Sequence, residues 1–198
     1  MDLADAGGID SLTMRRLGQT LGVEAMSLYN HVANKDDILN GILEMAMQEI
    51  ELPPDDADWK HGIRITTLSA YQALLRHPWA AGQMMAPNRT SPARFRWMDA
   101  VCGLLRRSGF SVELTHYAYH VLDSHIVGFT LWLESLPAHG EELRHMAAEF
   151  ILDFPADEYP HLAEHIAYHL RETDPDAKST FEFGLDLILD GLERSRDA

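Results

Sequence analysis

Apolar residues return every three or four positions along most of the chain, and turn-forming residues cut this pattern into helix-length pieces. Ile38, Leu39, Ile42, Leu43, Ala46 and Ile50 form one stripe. Asn34 can cap it, with Asp36 and Asp37 beside the positive end of the helix dipole. Pro53-Pro54 and the acidic run to Asp58 end this stretch. From Trp59 to His77 a longer helix carries Ile63, Thr67, Ala70 and Leu74 on one side, and a short one is predicted over Trp79 to Met85. Pro87 to Ser91 reads as loop. Pro92 to Arg107 is helical, with Phe95, Met98, Val101, Cys102 and Leu105 in register, and Ser108-Gly109 stops it. Ser111 caps a helix running to about Leu136, broken by Pro137 to Gly140. Glu141 to Leu152 and Pro160 to Arg171 are two more. Phe181 to Leu189 also alternates like a strand, but Asp174-Pro175 ahead of it and the lack of a strand partner decide for a helix reaching about Arg194. The pattern predicts an all-α protein, with residues 1–52 as a small domain and 59–198 as a larger one.

The stretch Leu12 to Leu39 is organised more tightly. A helix from about Thr13 to Leu21 meets Gly22, where a left-handed backbone costs glycine little. A second helix follows from about Glu24 to His31. Gly18 allows the two to approach, Leu28 fills the space between them, and Leu17, Leu21, Val23 and Val32 supply an apolar underside. Two short helices around a glycine turn make a helix-turn-helix, whose second helix enters the DNA major groove.

Leu12-Thr13, Leu17, Leu21-Gly22-Val23, Leu28-Tyr29, His31-Val32 and Asn34-Lys35 resemble the DNA-binding segment of the tetracycline-repressor (TetR) family, and most closely its tetracycline-repressor subgroup. The resemblance implies an N-terminal DNA-binding domain and a larger helical domain that binds a small molecule and dimerises. It implies a repressor that leaves double-stranded operator DNA when that effector binds. Ala25, Met26, Ser27, Asn30 and His31 would face the groove, while Thr13, Arg15, Tyr29 and Lys35 match positions that touch phosphate. The family's first helix is largely missing here, with only its tail visible from Asp2 to Ala6. In the larger domain, the helices at 111–136 and 176–194 would form the homodimer bundle. Gly184 and Gly191, seven residues apart, would either allow close approach there or merely loosen their helix.

Charge opposes the DNA reading. The chain carries −15 overall. Residues 1–50 hold Arg15, Arg16 and Lys35 against Asp2, Asp5, Asp10, Glu24, Asp36, Asp37, Glu44 and Glu49, which is three minus eight, or −5. A DNA-facing surface should be basic, so the carboxylates would have to face away from the duplex. The alternative is a helical small-molecule or metal-binding protein that has lost DNA binding. One cysteine allows no intrachain disulfide, and no apolar run approaches the ~20 residues of a membrane helix. The expectation is a cytoplasmic protein with no membrane partner.

Met84, Met85, Trp97, Met98, Cys102, Phe129 and Trp132 are candidate walls of an adaptable apolar pocket, with His125 the candidate polar contact. His116, His120 and Asp123 share a helix face at spacing that can bind one metal ion, although such pairs arise readily in a chain with eleven histidines. His161, His165 and His169 read as a solvated edge. No phosphate loop, nucleophile elbow or metalloprotease pair is present, so neither an enzyme nor a cofactor is expected.

Overall fold

The computed structural model describes residues 1–87, 89, 91–136, 140–170 and 178–198. Eleven α-helices occur among them and no strand. They are α1 (Asp2–Gly7), α2 (Met14–Leu21), α3 (Ala25–Leu28), α4 (Lys35–Gln48), α5 (Trp59–Arg76), α6 (Trp79–Met85), α7 (Pro92–Arg107), α8 (Val112–Ser135), α9 (Gly140–Leu152), α10 (Pro160–His169) and α11 (Thr180–Arg196). Two compact units contain them, one formed by 1–131 with 180–198, the other by 132–179.

Caps place several boundaries where side chains can satisfy the free N–H groups of a first turn. Thr13 accepts from Arg16 N at α2, Asn34 from Asp37 N at α4, Asp58 from Lys60 N and His61 N at α5, and Ser91 from Arg94 N at α7. Ser111 accepts from Leu114 N at α8. The ambiguous segment from Phe181 is helical, with Phe181, Leu185, Leu189 and Leu192 buried at helical spacing. The expected breaks at 137–139, the start at Asp174-Pro175 and the end of α10 at Arg171 lie outside the described residues.

The first unit is built on α5, which packs against α4, α6, α7 and α11. Ile63, Thr67, Ala70 and Leu74 are all buried on it, as its periodicity predicts. Tyr71 stacks on Phe181 at 3.8 Å between centroids, and Phe129 meets both rings edge-on. At the solvent edge Arg64 pairs with Asp186, and Lys60 reaches Asp190 at 2.7 Å and Glu193 at 2.8 Å. One residue of the predicted α7 face is misplaced. Phe95 is exposed, because the buried face runs through Ala93, Trp97, Val101, Leu104 and Leu105. Two residues from Trp97 means about 200° around the helix, so Phe95 points the other way. In the second unit α9 packs on α10, and Phe150, Phe154 and Tyr159 form a chain of rings.

Candidate DNA interface and effector cavity

The helix-turn-helix is assembled by its glycines. Gly22 takes φ +69°, the left-handed cap that ends α2. A Cβ on Gly18 would stand 2.9 Å from Val23 O and 3.1 Å from Ala25 N, so α3 starts directly against the α2 backbone. Leu28 is buried beneath α3, and Leu17 and Val32 are half-buried. Leu21 and Val23 are exposed instead of joining that underside, because α2 packs on α3 and neither residue lies on the shared side. Regular helix ends at Leu28, earlier than the expected His31. Tight turns continue the chain, with Tyr29 N donating to Met26 O, Asn30 N to Ser27 O and His31 N to Leu28 O.

The expected DNA contacts lie together on this segment. Thr13, Arg15, Met26, Tyr29, Asn30 and His31 are exposed, while Ala25, Ser27 and Lys35 are half-buried. Met26 is 73% exposed, far more than an unpartnered apolar side chain needs to be. The Ser27 hydroxyl donates to Glu24 O at 2.7 Å, which leaves its lone pairs as acceptors.

The carboxylates of the same segment mostly turn elsewhere. Glu44 accepts from the Ser91 hydroxyl (2.7 Å) and Ala93 N (2.8 Å), with Arg96 at 3.3 Å. Asp36 pairs with Arg89 at 2.8 Å, and Asp37 accepts from Ala33 N. Asp5 and Glu49 both bond His77. Five of the eight acids are therefore committed to structural contacts behind or beside the recognition segment. Burial alone would raise the Glu44 carboxyl, but its hydrogen bonds from Ala93 N, Ser91, Gln48 and Arg96 hold it below the usual range.

A cavity of about 580 Å³ opens between α6, α7 and α8. Met84, Met85, Val127 and Leu131 give it apolar walls, and Arg94, His120, Asp123 and Ser124 give it polar ones. Arg94 Nη1 donates to Met84 O at 2.8 Å, and Nη2 lies 3.5 Å from Asp123 Oδ2. Arg94 Nε and Asp123 Oδ1 are buried without a hydrogen-bond partner among the described residues, as is the hydroxyl of Tyr119 next to them. Such groups are costly to leave unpaired. Burial, with the Asp123 charge adding and Arg94 opposing, pushes the Tyr119 hydroxyl up to about 12.

Met84 and Met85 are thus the expected wall residues that the structure brings to this cavity. Trp97 is a core residue whose indole donates to Thr66 Oγ1 at 2.8 Å. Met98 and Cys102 pack against the same core, and burial raises the Cys102 thiol. Phe129 belongs to the aromatic cluster, and Trp132 is half-exposed at the start of the second unit. His125 is a satisfied core histidine, because Nε2 lies 2.9 Å from Phe181 O and the ring stacks on Phe181 at 4.4 Å. A Cβ on Gly184 would come within 2.7 Å of His125 Cε1, so this glycine makes room for the histidine of its own chain. Gly191 has no such neighbour.

The candidate metal trio does not converge on one point among the described residues, although His120 lines the cavity beside Asp123. The rings of His116 and His120 meet edge-on at 4.5 Å along a shallow groove, whereas Asp123 faces Arg94. Sequence reasoning missed Arg94, which lies 29 residues before Asp123. The one signal was an acidic residue on a helix face otherwise filled by Leu122, Ile126 and Val127.

The fold and these two sites define a helix-turn-helix DNA-binding regulator with a cavity in its larger helical part. Residues 52–196 match the family described as tetracyclin repressor-like, C-terminal domain. The class C tetracycline repressor protein of Escherichia coli is 32% identical over 99% of this chain and 88% of its own. The class G protein of Vibrio anguillarum is 29% identical over 100% and 91%. ActR of Streptomyces coelicolor in complex with actinorhodin superposes with a TM-score of 0.76 at 28% identity, covering 100% of this chain and 94% of that one. The chain belongs to the TetR family of ligand-responsive transcriptional regulators, and its relatives are regulators, not enzymes. No helix among the described residues is long and apolar enough to cross a membrane.

Proposed function

We propose that two copies of this chain bind double-stranded operator DNA through the segment from Thr13 to Lys35 and release it when a small molecule fills the cavity between α6, α7 and α8. The observation that carries the proposal is the recognition segment, with Met26, Tyr29, Asn30 and His31 exposed while Asp5, Asp36, Glu44 and Glu49 are held by residues between His77 and Arg96. Ser27 and Asn30 offer hydrogen bonds to base edges, Ala25 and Met26 apolar contact to thymine methyls, and Arg15 and Lys35 charge to phosphates. Residues 1–52 are the DNA-binding part and 59–198 the effector and dimerisation part. The homodimer face is formed by exposed apolar residues of α8 and α11, namely Tyr117, Val121, Phe183 and Leu187.

The effector has an apolar body for Met84, Met85, Val127 and Leu131, and a polar edge that accepts from Arg94 Nε and donates to Asp123 Oδ1. Because Arg94 and Asp123 already offset each other, that edge is uncharged. The names of the relatives, tetracycline repressors and an actinorhodin complex, support such a ligand. The test is a gel shift on DNA upstream of the gene, repeated across salt concentrations, with a panel of hydroxylated aromatic ketones added to the complex. Specific retention that weakens with salt, and release by a member of the panel that Arg94→Met abolishes, is expected. Failure to retain any upstream fragment at low salt would overturn DNA binding and leave the reading of a helical binding protein.

A further inference from the structure

One of the links between the DNA-binding segment and the larger helical part is a buried histidine. His77 is 6% exposed, and both ring nitrogens face carboxylates. Nδ1 lies 2.8 Å from Asp5 Oδ1 and Nε2 lies 3.1 Å from Glu49 Oε1. Asp5 belongs to α1, Glu49 follows α4, and His77 itself joins α5 to α6. Each carboxylate has one further anchor nearby. The Trp79 indole of α6 donates to Asp5 Oδ1 at 2.6 Å, and Arg76 of α5 holds Glu49 Oε2 from Nε (2.9 Å) and Nη2 (2.8 Å).

A neutral imidazole has one N–H and one bare lone pair, so it can donate to only one of two carboxylates. Only the doubly protonated ring donates to both. Loss of that proton sets a lone pair against Asp5 or Glu49, and leaves Trp79–Asp5 and Arg76–Glu49 as separate contacts on either side of an open joint. We propose that His77 is a positioning residue whose proton bridges α1 to the end of α4, and that opening this bridge loosens the recognition segment and weakens its hold on DNA.

The charged groups around the ring agree with a bridge that opens on the alkaline side. Burial by itself would lower the His77 pKa, but the hydrogen bonds and charges of Asp5 and Glu49 together outweigh it and raise it. Asp5 also feels the Met1 amine, and Glu49 feels Arg76. For a group raised on folding, the stabilisation is complete below the ordinary histidine value of 6.5 and is lost as pH rises through the higher folded value.

The test compares the full chain with His77→Gln, which keeps a donor and an acceptor but cannot take up the proton. Three quantities are followed between pH 6 and 9: the His77 ring resonances by NMR, hydrogen exchange in α1 corrected for intrinsic rates, and affinity for a duplex that the protein itself selects from a random pool. The DNA readout rests on the reading above, and the exchange readout does not. As the ring deprotonates, α1 should lose protection in the wild type, and DNA affinity should fall on the order of tenfold relative to the variant, whose own profile is flat. Should His77→Gln fail to fold, Asp5→Asn replaces it, with a lower ring pKa and pH-independent α1 protection expected. Identical pH profiles in wild type and variant, or a ring that titrates while α1 protection holds, would overturn the proposal. If no duplex is selected, DNA binding falls, and the α1 exchange comparison alone decides for or against the bridge.

Discussion

The front and the back of the helix-turn-helix obey opposite rules. On the front, Met26, Tyr29, Asn30 and His31 stand in solvent at the end of a four-residue helix. At the back, Asp5, Glu44 and Glu49 are drawn into contacts with His77, Trp79, Ser91, Ala93 N and Arg76. A count of charge over residues 1–50 treats these alike, yet carboxylates already paired with cations and N–H groups contribute little field on the far side of the segment. With Asp5, Asp36, Glu44 and Glu49, which face cations or a histidine, set aside, four acids (Asp2, Asp10, Glu24 and Asp37) remain against three basic residues. The difference teaches that for a small DNA-binding unit on an acidic protein, the placement of charge decides what its sum obscures.

The comparison can be broken most severely at the join between α2 and α3. Gly18→Val would drive side-chain atoms into Val23 O and Ala25 N, both backbone, where nothing flexible can yield. A stability loss of about 2–3 kcal/mol is expected by denaturant titration, together with loss of DNA retention, since overpacked sites of this kind must move backbone. Next comes the back face. Glu44→Ala removes the acceptor for both Ser91 and Ala93 N, leaving a half-buried cap unpaired, and should cost about 1–3 kcal/mol. Its pH dependence has a definite sign. A carboxyl lowered on folding stabilises above its ordinary value of 4.5 and loses that contribution as pH falls through its folded value. Glu44→Gln should therefore flatten the acid limb of the melting temperature and leave the neutral region less stable than wild type.

Smaller still, and opposite in sign, is Gly41→Ala on α4. A Cβ there meets nothing within 4 Å, so the substitution should stabilise by roughly 0.5–1 kcal/mol through helix propensity alone, read by thermal melting. Gly18 and Gly41 look alike in sequence, since each interrupts an apolar helical stripe. Their difference is tertiary, and it shows how far the sequence could be read. The buried face of α5, the caps at Asn34 and Ser111, and the Gly22 turn follow from local rules and were legible. The Arg94–Asp123 pair and the His77 bridge were not, because they join residues 28 to 72 positions apart through packing that no local pattern encodes. His125 was placed on the apolar face as the candidate polar contact, and the structure gives it a partner within its own chain. Its acceptor is a backbone carbonyl of α11, and the space for its ring comes from Gly184, for which sequence spacing alone offered either a subunit interface or a loosened helix.

The smallest effect on stability should come from the front face. Asn30→Ala removes an exposed side chain at the end of the turn after α3, and among the described residues no hydrogen bond from that side chain holds the fold together. Its melting temperature should stay within the spread of surface substitutions, about 0.5 kcal/mol or less. Its effect on DNA should be larger by comparison. If Asn30 reads a base edge, affinity for the selected duplex falls by about 1–3 kcal/mol and discrimination relaxes at one base pair, while the salt slope is unchanged because no phosphate contact is lost. Arg15→Ala should do the reverse, weakening all duplexes alike and reducing the slope by about one phosphate. Loss of fold in Asn30→Ala, or a changed salt slope with intact base preference, would show that the turn after α3 serves the structure and not the reading of DNA.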